Sequence, residues 1–155
     1  MPTAVNDAMI AQTIQLALTP VFVLVAIGNI MNILSTRMGR VVDRARVLQG
    51  LFTETEGDGH DLVVREIRMC NNRILIIGRA MRLLVSSALS IGLTVALLFF
   101  EGFAHTGGLN AAAAITFILA IALLMLALLL FLRETREATE ALRIPENYLE
   151  LHRNL

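Results

Sequence analysis

Hydrophobic residues are concentrated in three long runs of the chain. Residues 18–34 are apolar with few exceptions, and no charged residue occurs in 83–100 or 110–132. An α-helix needs about 20 predominantly apolar residues to cross the hydrocarbon core of a bilayer. The pattern therefore predicts an all-α integral membrane protein of one domain, with transmembrane helices at 18–36, 83–101 and 110–132.

The basic residues predict how these helices are oriented in the membrane. All 13 lie either between the first two spans or after the third span. Because Lys and Arg in short flanking loops favour the cytoplasmic side, residues 37–82 and the tail 133–155 are expected in the cytoplasm. The N-terminus and the connection 102–109 are then expected outside.

Apolar residues also recur between the first two spans, at the alternating three- and four-residue spacing of a coiled coil. They form one seam before and one seam after an acidic, glycine-containing turn at 54–60. We expect both membrane helices to continue into the cytoplasm and to pack there as an antiparallel hairpin. Two amphipathic helices lying on the lipid surface are the alternative. The seams comprise Met38, Val41, Ala45, Leu48 and Phe52, and then Val63, Ile67, Cys70, Ile74, Ile77, Met81 and Leu84.

A polar stripe follows one side of the first helix, within roughly an 80° arc that lies away from the apolar seam. An asparagine amide that faces lipid lacks hydrogen-bond partners, at a cost of about 2–4 kcal/mol, so this side is expected to meet protein or water. Hydrogen bonding between helices or across an oligomer interface is one interpretation. A water-filled path lined by the stripe is the other. The stripe comprises Asn29, Asn32, Thr36, Arg40 and Asp43.

A second polar side is predicted on the second helix, opposite its apolar seam. It includes Asn72, Ser86, Ser90 and Thr94 as well as arginines. Ser86 and Ser90 are candidate interface or pore-lining residues, because small residues let membrane helices approach closely. Guanidinium groups bind phosphate bidentately, so a cytoplasmic arginine face is predicted to contact anionic lipid headgroups. An anion-favouring arginine ring at a pore mouth is the alternative. This predicted cytoplasmic face comprises Arg37 and Arg44 from the first helix and Arg65, Arg68, Arg79 and Arg82 from the second.

Thr19 and Pro20 lie near the outer end of the first span. Proline inside a helix removes a hydrogen bond and bends the helix, whereas proline in the first turn is tolerated. The pair is therefore either a candidate hinge or the start of the membrane helix after an outside segment.

The charged residues after the third span predict a solvated continuation of its helix. Arg133 and Glu137 have the i,i+4 spacing of a helical ion pair. Pro145 is expected to end this helix.

No other pattern indicates catalysis or metal chemistry. The net charge is zero, so no general attraction to nucleic acid is expected. Cys70 is the single cysteine, which excludes an internal disulfide, and the three histidines are scattered. There is no nucleophile elbow, phosphate-binding glycine loop or metalloprotease motif. We expect no enzyme activity, no metal and no cofactor.

Three short runs resemble a known family. They are Thr19-Pro20, Arg37-Met-Gly-Arg-Val-Val-Asp-Arg-Ala-Arg46 and Leu132-Arg-Glu134. In these runs, and in layout over nearly the whole chain, the sequence resembles a bacterial family of small membrane proteins catalogued as domain-of-unknown-function family 2721. Members usually have serine before the proline, where this chain has Thr19. The resemblance implies a bacterial inner-membrane protein of three helices, and it implies no activity.

Two functions are carried forward from the sequence. The first is a homo-oligomeric inner-membrane assembly whose first helix faces the symmetry axis and lines a polar, ion-conducting path with Asn29, Asn32 and Thr36. The second is a non-conducting adaptor, whose cytoplasmic hairpin docks a partner protein or anionic lipid while the spans anchor it.

Overall fold

A computed structural model describes residues 2–104 and 109–141 of the chain. Over these residues it contains three α-helices and no strand: α1 spans Pro2–Phe52, α2 spans Asp58–Ala104 and α3 spans Leu109–Ala141. Each helix includes a stretch that is long and apolar enough to cross a membrane. This confirms the predicted all-α architecture with three helices that are able to cross a membrane.

The first two helices are much longer than a bilayer requires. α1 has 51 residues and α2 has 47, so each is about 70 Å long or more at 1.5 Å per residue, against about 30 Å of hydrocarbon. A short turn joins them, in which Gly57 has a φ of 61° and its carbonyl accepts the His60 amide at 3.0 Å. The structure thus shows two continuous helices that fold back on each other, and their side of the membrane remains the sequence prediction.

α1 and α2 pack through large apolar side chains spaced seven residues apart. On α1 the buried positions include Leu34, Val41 and Leu48. On α2 they include Val63, Cys70, Ile77 and Leu84, and all of these residues belong to one core cluster. A seven-residue repeat of this kind is the packing pattern of a coiled coil. All of these residues except Leu34 were predicted from the sequence to form the two seams. Phe52, which was also predicted there, is 45% exposed because it lies at the end of α1.

α2 has a second buried side, which packs against α3 through small residues. Its positions Ala80, Ser87 and Thr94 are seven residues apart, and the facing positions of α3 have the same spacing. The Ser87 hydroxyl donates to the Ala120 carbonyl at 2.7 Å, and the Thr94 and Thr116 hydroxyls lie 2.9 Å apart. Small residues allow such a close approach of membrane helices. The buried positions of α3 are Ala113, Ala120 and Ala127.

The structure differs from the sequence predictions at Pro20 and at Thr94. α1 begins at Pro2, so Pro20 lies inside a long helix and the prediction of a helix start there is wrong. Thr94 was expected on the polar side of α2, but it is only 3% exposed because it packs against α3. The predicted helix end at Pro145, and residues 105–108 of the connection that was expected outside, are not among the described residues.

Candidate functional site

A buried carboxylate joins the three helices just beyond the charge-free run of α3. Glu134 of α3 is 0% exposed. Arg73 of α2 donates to Glu134 Oε1 through Nη2 at 2.8 Å and through Nε at 3.1 Å. Arg37 of α1 places Nη2 2.8 Å from Glu134 Oε2 as an ion pair. We call these three residues the Glu134 cluster.

An aromatic ring contacts the Glu134 cluster, and the carboxylate of the cluster is buried. The guanidinium of Arg37 also lies over the Phe131 ring, 5.4 Å from its centroid, in a cation–π contact. Both arginine side chains are about a quarter exposed, at 25% and 27%, whereas the carboxylate is closed off from solvent. A buried charge of this kind is tolerated because it is paired from two sides. The cluster ties all three helices together at one level.

Sequence reasoning did not find the Glu134 cluster. Arg37 was assigned to a cytoplasmic arginine face, whereas the structure pairs it with the carboxylate. Glu134 is the second residue after the charge-free run, where a charged residue is usually solvated. One signal was present, because Glu134 continues the seven-residue spacing of Ala113, Ala120 and Ala127. That spacing places it on the side of α3 that faces α2.

Two further charged contacts lie near or beyond this level. Arg44 donates to both carboxylate oxygens of Glu66, at 2.8 and 3.0 Å, and so links α1 to α2. Arg133 Nε donates to Glu137 at 2.9 Å, at the i,i+4 spacing expected from the sequence, and Asn72 also donates to Glu137. These pairs are partly exposed, so each is expected to contribute less than about 1 kcal/mol.

The predicted polar stripe forms an exposed side of α1, which we call the polar face of α1. It comprises Asn29, Asn32, Thr36, Arg40 and Asp43, and all five are exposed in the protomer. Thr36 donates to the Asn32 carbonyl at 3.0 Å, and Asp43 lies 4.0 Å from Arg46. The side-chain amides of Asn29 and Asn32 have no hydrogen-bond partner within the described residues. The structure therefore leaves the two asparagines of the first span unsatisfied.

A second exposed side, the arginine face of α2, comprises Arg65, Arg68, Arg79 and Arg82. None of the four makes an ion pair or hydrogen bond with another described residue. Ser86 is exposed beside them, and the half-buried Ser90 donates to the Ser86 carbonyl at 3.0 Å. Ser87, one residue further along, makes the close helix contact that was expected of Ser86 and Ser90.

The candidate hinge borders a cavity at the other end of the bundle. Pro20 is buried and Thr19 is exposed, and both line a space of about 340 Å³ between the three helices. The far wall includes Thr94, Asn110 and Phe117. Residues of α2 and α3 line the same cavity as the proline, and movement at the proline stays a prediction.

The single thiol of the chain is closed off between the two arms. Cys70 is 6% exposed, and it lies outside the predicted spans. Burial raises the pKa of the Cys70 thiol, and the neighbouring Glu66 carboxylate raises it further. A thiol with a raised pKa forms less thiolate at neutral pH and reacts slowly, so Cys70 is expected to be inert in the folded protein.

The comparison with known families supplies one match. A family model described as "Protein of unknown function (DUF2721)" matches residues 17–144. The chain belongs to the DUF2721 family. That range contains the polar face of α1, the arginine face of α2 and the Glu134 cluster, and it confirms the resemblance noted in the sequence. No curated protein and no solved structure matches this DUF2721 chain.

Proposed function

We propose that this protein is the subunit of a homo-oligomeric assembly in a bacterial inner membrane, and that the polar face of α1 lines an ion-conducting path at a boundary between subunits. The observation that supports the proposal is the exposure of Asn29 and Asn32 in the first span, without a hydrogen-bond partner among the described residues. Facing lipid, each amide would cost about 2–4 kcal/mol. Protein or water at a subunit boundary removes that cost.

The polar side chains inside the protomer show what the two asparagines lack. Ser87 and Thr94 also lie in a predicted span, but they have partners on α3. Ser87 donates to the Ala120 carbonyl at 2.7 Å, and the Thr94 hydroxyl lies 2.9 Å from that of Thr116. Three helices are too few to enclose a path within one subunit, so a path requires several copies around an axis. The arginine distribution supports an orientation with the N-terminus outside and the two-helix turn in the cytoplasm.

The test combines the oligomeric state with ion flux. We expect the protein in native membranes to run as an oligomer and to conduct ions in liposomes. Asn29→Leu with Asn32→Leu should lower flux at least tenfold, because the wall of the path becomes apolar. Gln49→Leu, an exposed change on the same helix outside the span, serves as the control and should leave flux unchanged. An oligomer without flux would disprove the path, and a monomer would disprove the assembly.

A non-conducting adaptor is the second candidate function. It is favoured by the exposed arginine face of α2, which offers a docking surface for an acidic partner protein or anionic lipid. A stable hetero-complex in mild detergent, weakened at least tenfold by Arg65→Glu with Arg68→Glu, would favour it over the path. Arg73 is left unchanged in this test because it belongs to the Glu134 cluster. Arg136→Glu, an exposed change on α3, is the matched control.

A further inference from the structure

We propose that the arginine face of α2 in one subunit packs against the polar face of α1 in the next subunit. The partner is thus a second copy of this chain, and two different lateral faces of the protomer meet at the contact. The inference rests on the homo-oligomeric part of the proposed function. It does not require ion conduction, and an ion path would exist only where water separates the two faces.

The depth of two arginines supports this inference. Arg79 and Arg82 lie between Arg73, which meets Glu134, and Ser87, which meets Ala120. They are therefore level with α3 residues inside its charge-free run. At 1.5 Å per residue, the backbone at Arg79 is about 9 Å deeper than at Arg73, and at Arg82 about 14 Å deeper.

The Arg82 side chain already turns away from that depth. Its Nη1 lies 3.7 Å from where a Cβ on Gly78 would stand, so the guanidinium folds back by one turn toward the predicted cytoplasmic side. Arginine side chains on α2 can point that way because the Cα–Cβ bonds of a helix tilt toward its N-terminus. Such bending reduces the cost of exposure to lipid, but it gives the guanidinium no acceptor.

The two faces match each other in depth. The Arg44–Glu66 hydrogen bonds fix the antiparallel register of α1 and α2. Counting from that pair, to within about one helical turn, three pairs of residues from the two faces stand level. These pairs are Asp43 with Arg68, Asn32 with Arg79 and Asn29 with Arg82.

The two faces also match each other in chemistry. A guanidinium has five donors and no acceptor, whereas an asparagine side chain offers a carbonyl oxygen. Arg79 and Arg82 lack acceptors among the described residues, and Asn32 and Asn29 lack partners there. The folded-back guanidinium of Arg82 lies beside Gly78, which is level with Asn32. Nearer the turn between the helices, the carboxylate of Asp43 is level with the charge of Arg68. Each face therefore carries the groups that the other one lacks.

The contact must form between subunits. Within one protomer the polar face points away from the α1–α2 seam, and the arginine face points away from both seams of α2. Rotation about an axis along the membrane normal keeps every residue at its depth, so levels within one subunit also hold between subunits. Two different faces that meet in this way make a heterologous interface, which forms a ring when the rotation from one subunit to the next divides a full turn.

Cysteine cross-linking in native membranes tests the inference. A chain carrying Asp43→Cys and Arg68→Cys should form oxidation-dependent ladders of linked subunits, with the deeper asparagine and arginine contacts left intact. The pair Asp43→Cys with Arg79→Cys, about 18 Å apart in depth, should give at least tenfold less product. The wild-type chain is the thiol control, because its only cysteine is buried.

The outcomes separate this inference from the proposed function. A monomer in native membranes overturns both. An oligomer that does not link through the first pair overturns the inference alone, as does one that links through Asp43→Cys by itself, since like residues meet only if α1 faces α1. Phosphate lipids retained on the wild type and lost in Arg79→Gln with Arg82→Gln, with no subunit ladder, would also overturn it in favour of a lipid-facing arginine face.

Discussion

Replacing Glu134 by leucine is expected to lower the free energy of unfolding by about 3 kcal/mol, because two arginines then lose the carboxylate that compensates their partly buried charges. Glu134 is 0% exposed and is held at 2.8 Å by both Arg37 and Arg73. The loss also separates α3 from the other two helices at this level. Reversible unfolding in mixed micelles with a rising fraction of SDS, followed by circular dichroism, measures the change.

Two control variants show whether charge pairing is the cause. Glu137→Gln alters a more exposed carboxylate, 30% exposed, on the same helix and should cost less than about 1 kcal/mol. Adding Arg37→Met and Arg73→Met to Glu134→Leu should recover most of the loss, because well-packed apolar residues often replace a buried ion cluster without cost. If Glu134→Leu unfolds like the wild type, the cluster does not hold the helices together.

The parts of the fold that depend on large apolar side chains could be predicted from the sequence. The seam between α1 and α2 uses residues such as Val41, Leu48, Val63 and Cys70, whose seven-residue spacing is visible against a polar background. Charge-free runs identified the three spans in the same way. In both cases one strong physical preference, burial of apolar area, determines the outcome.

The seam between α2 and α3 could not be predicted so directly. Within the charge-free runs of α2 and α3 nearly every position is apolar or small, so hydropathy does not distinguish the side of a helix that faces protein from the side that faces lipid. Ser86 and Ser87 show the difficulty, since a rotation of one residue decides which is exposed and which is buried. The Glu134 cluster was missed because its three members come from three helices, and their convergence depends on both seams.

The protomer satisfies most of the polar groups on its inner sides and leaves others bare on its outer sides. Ser87, Thr94 and Glu134 find partners within the bundle, whereas Asn29 and Asn32 do not. A monomer that faced lipid on all sides would become more stable in the membrane if apolar residues replaced the two asparagines. Their presence on one side of α1, level with Arg79 and Arg82 of α2, indicates that another copy of the chain covers this surface.

Replacing Ala120 by leucine is expected to lower the free energy of unfolding by about 3 kcal/mol, through overpacking and the loss of polar contacts at the closest approach of α2 and α3. Ala120 is 0% exposed, and its carbonyl accepts the Ser87 hydroxyl at 2.7 Å. Three added carbon atoms have no room there, so the helices must separate. Separation also lengthens the Thr94–Thr116 contact one turn away.

The same substitution two residues further along provides the control. Ala122 is exposed on α3, so Ala122→Leu adds the same apolar volume toward lipid and should change stability by less than about 0.5 kcal/mol. Unfolding of both variants in mixed micelles compares them directly. Equal stabilities would mean that α2 and α3 are not in close contact at Ser87. A loss of stability confined to Ala120→Leu would place the interface on the side of α3 that carries Ala113, Ala120, Ala127 and Glu134.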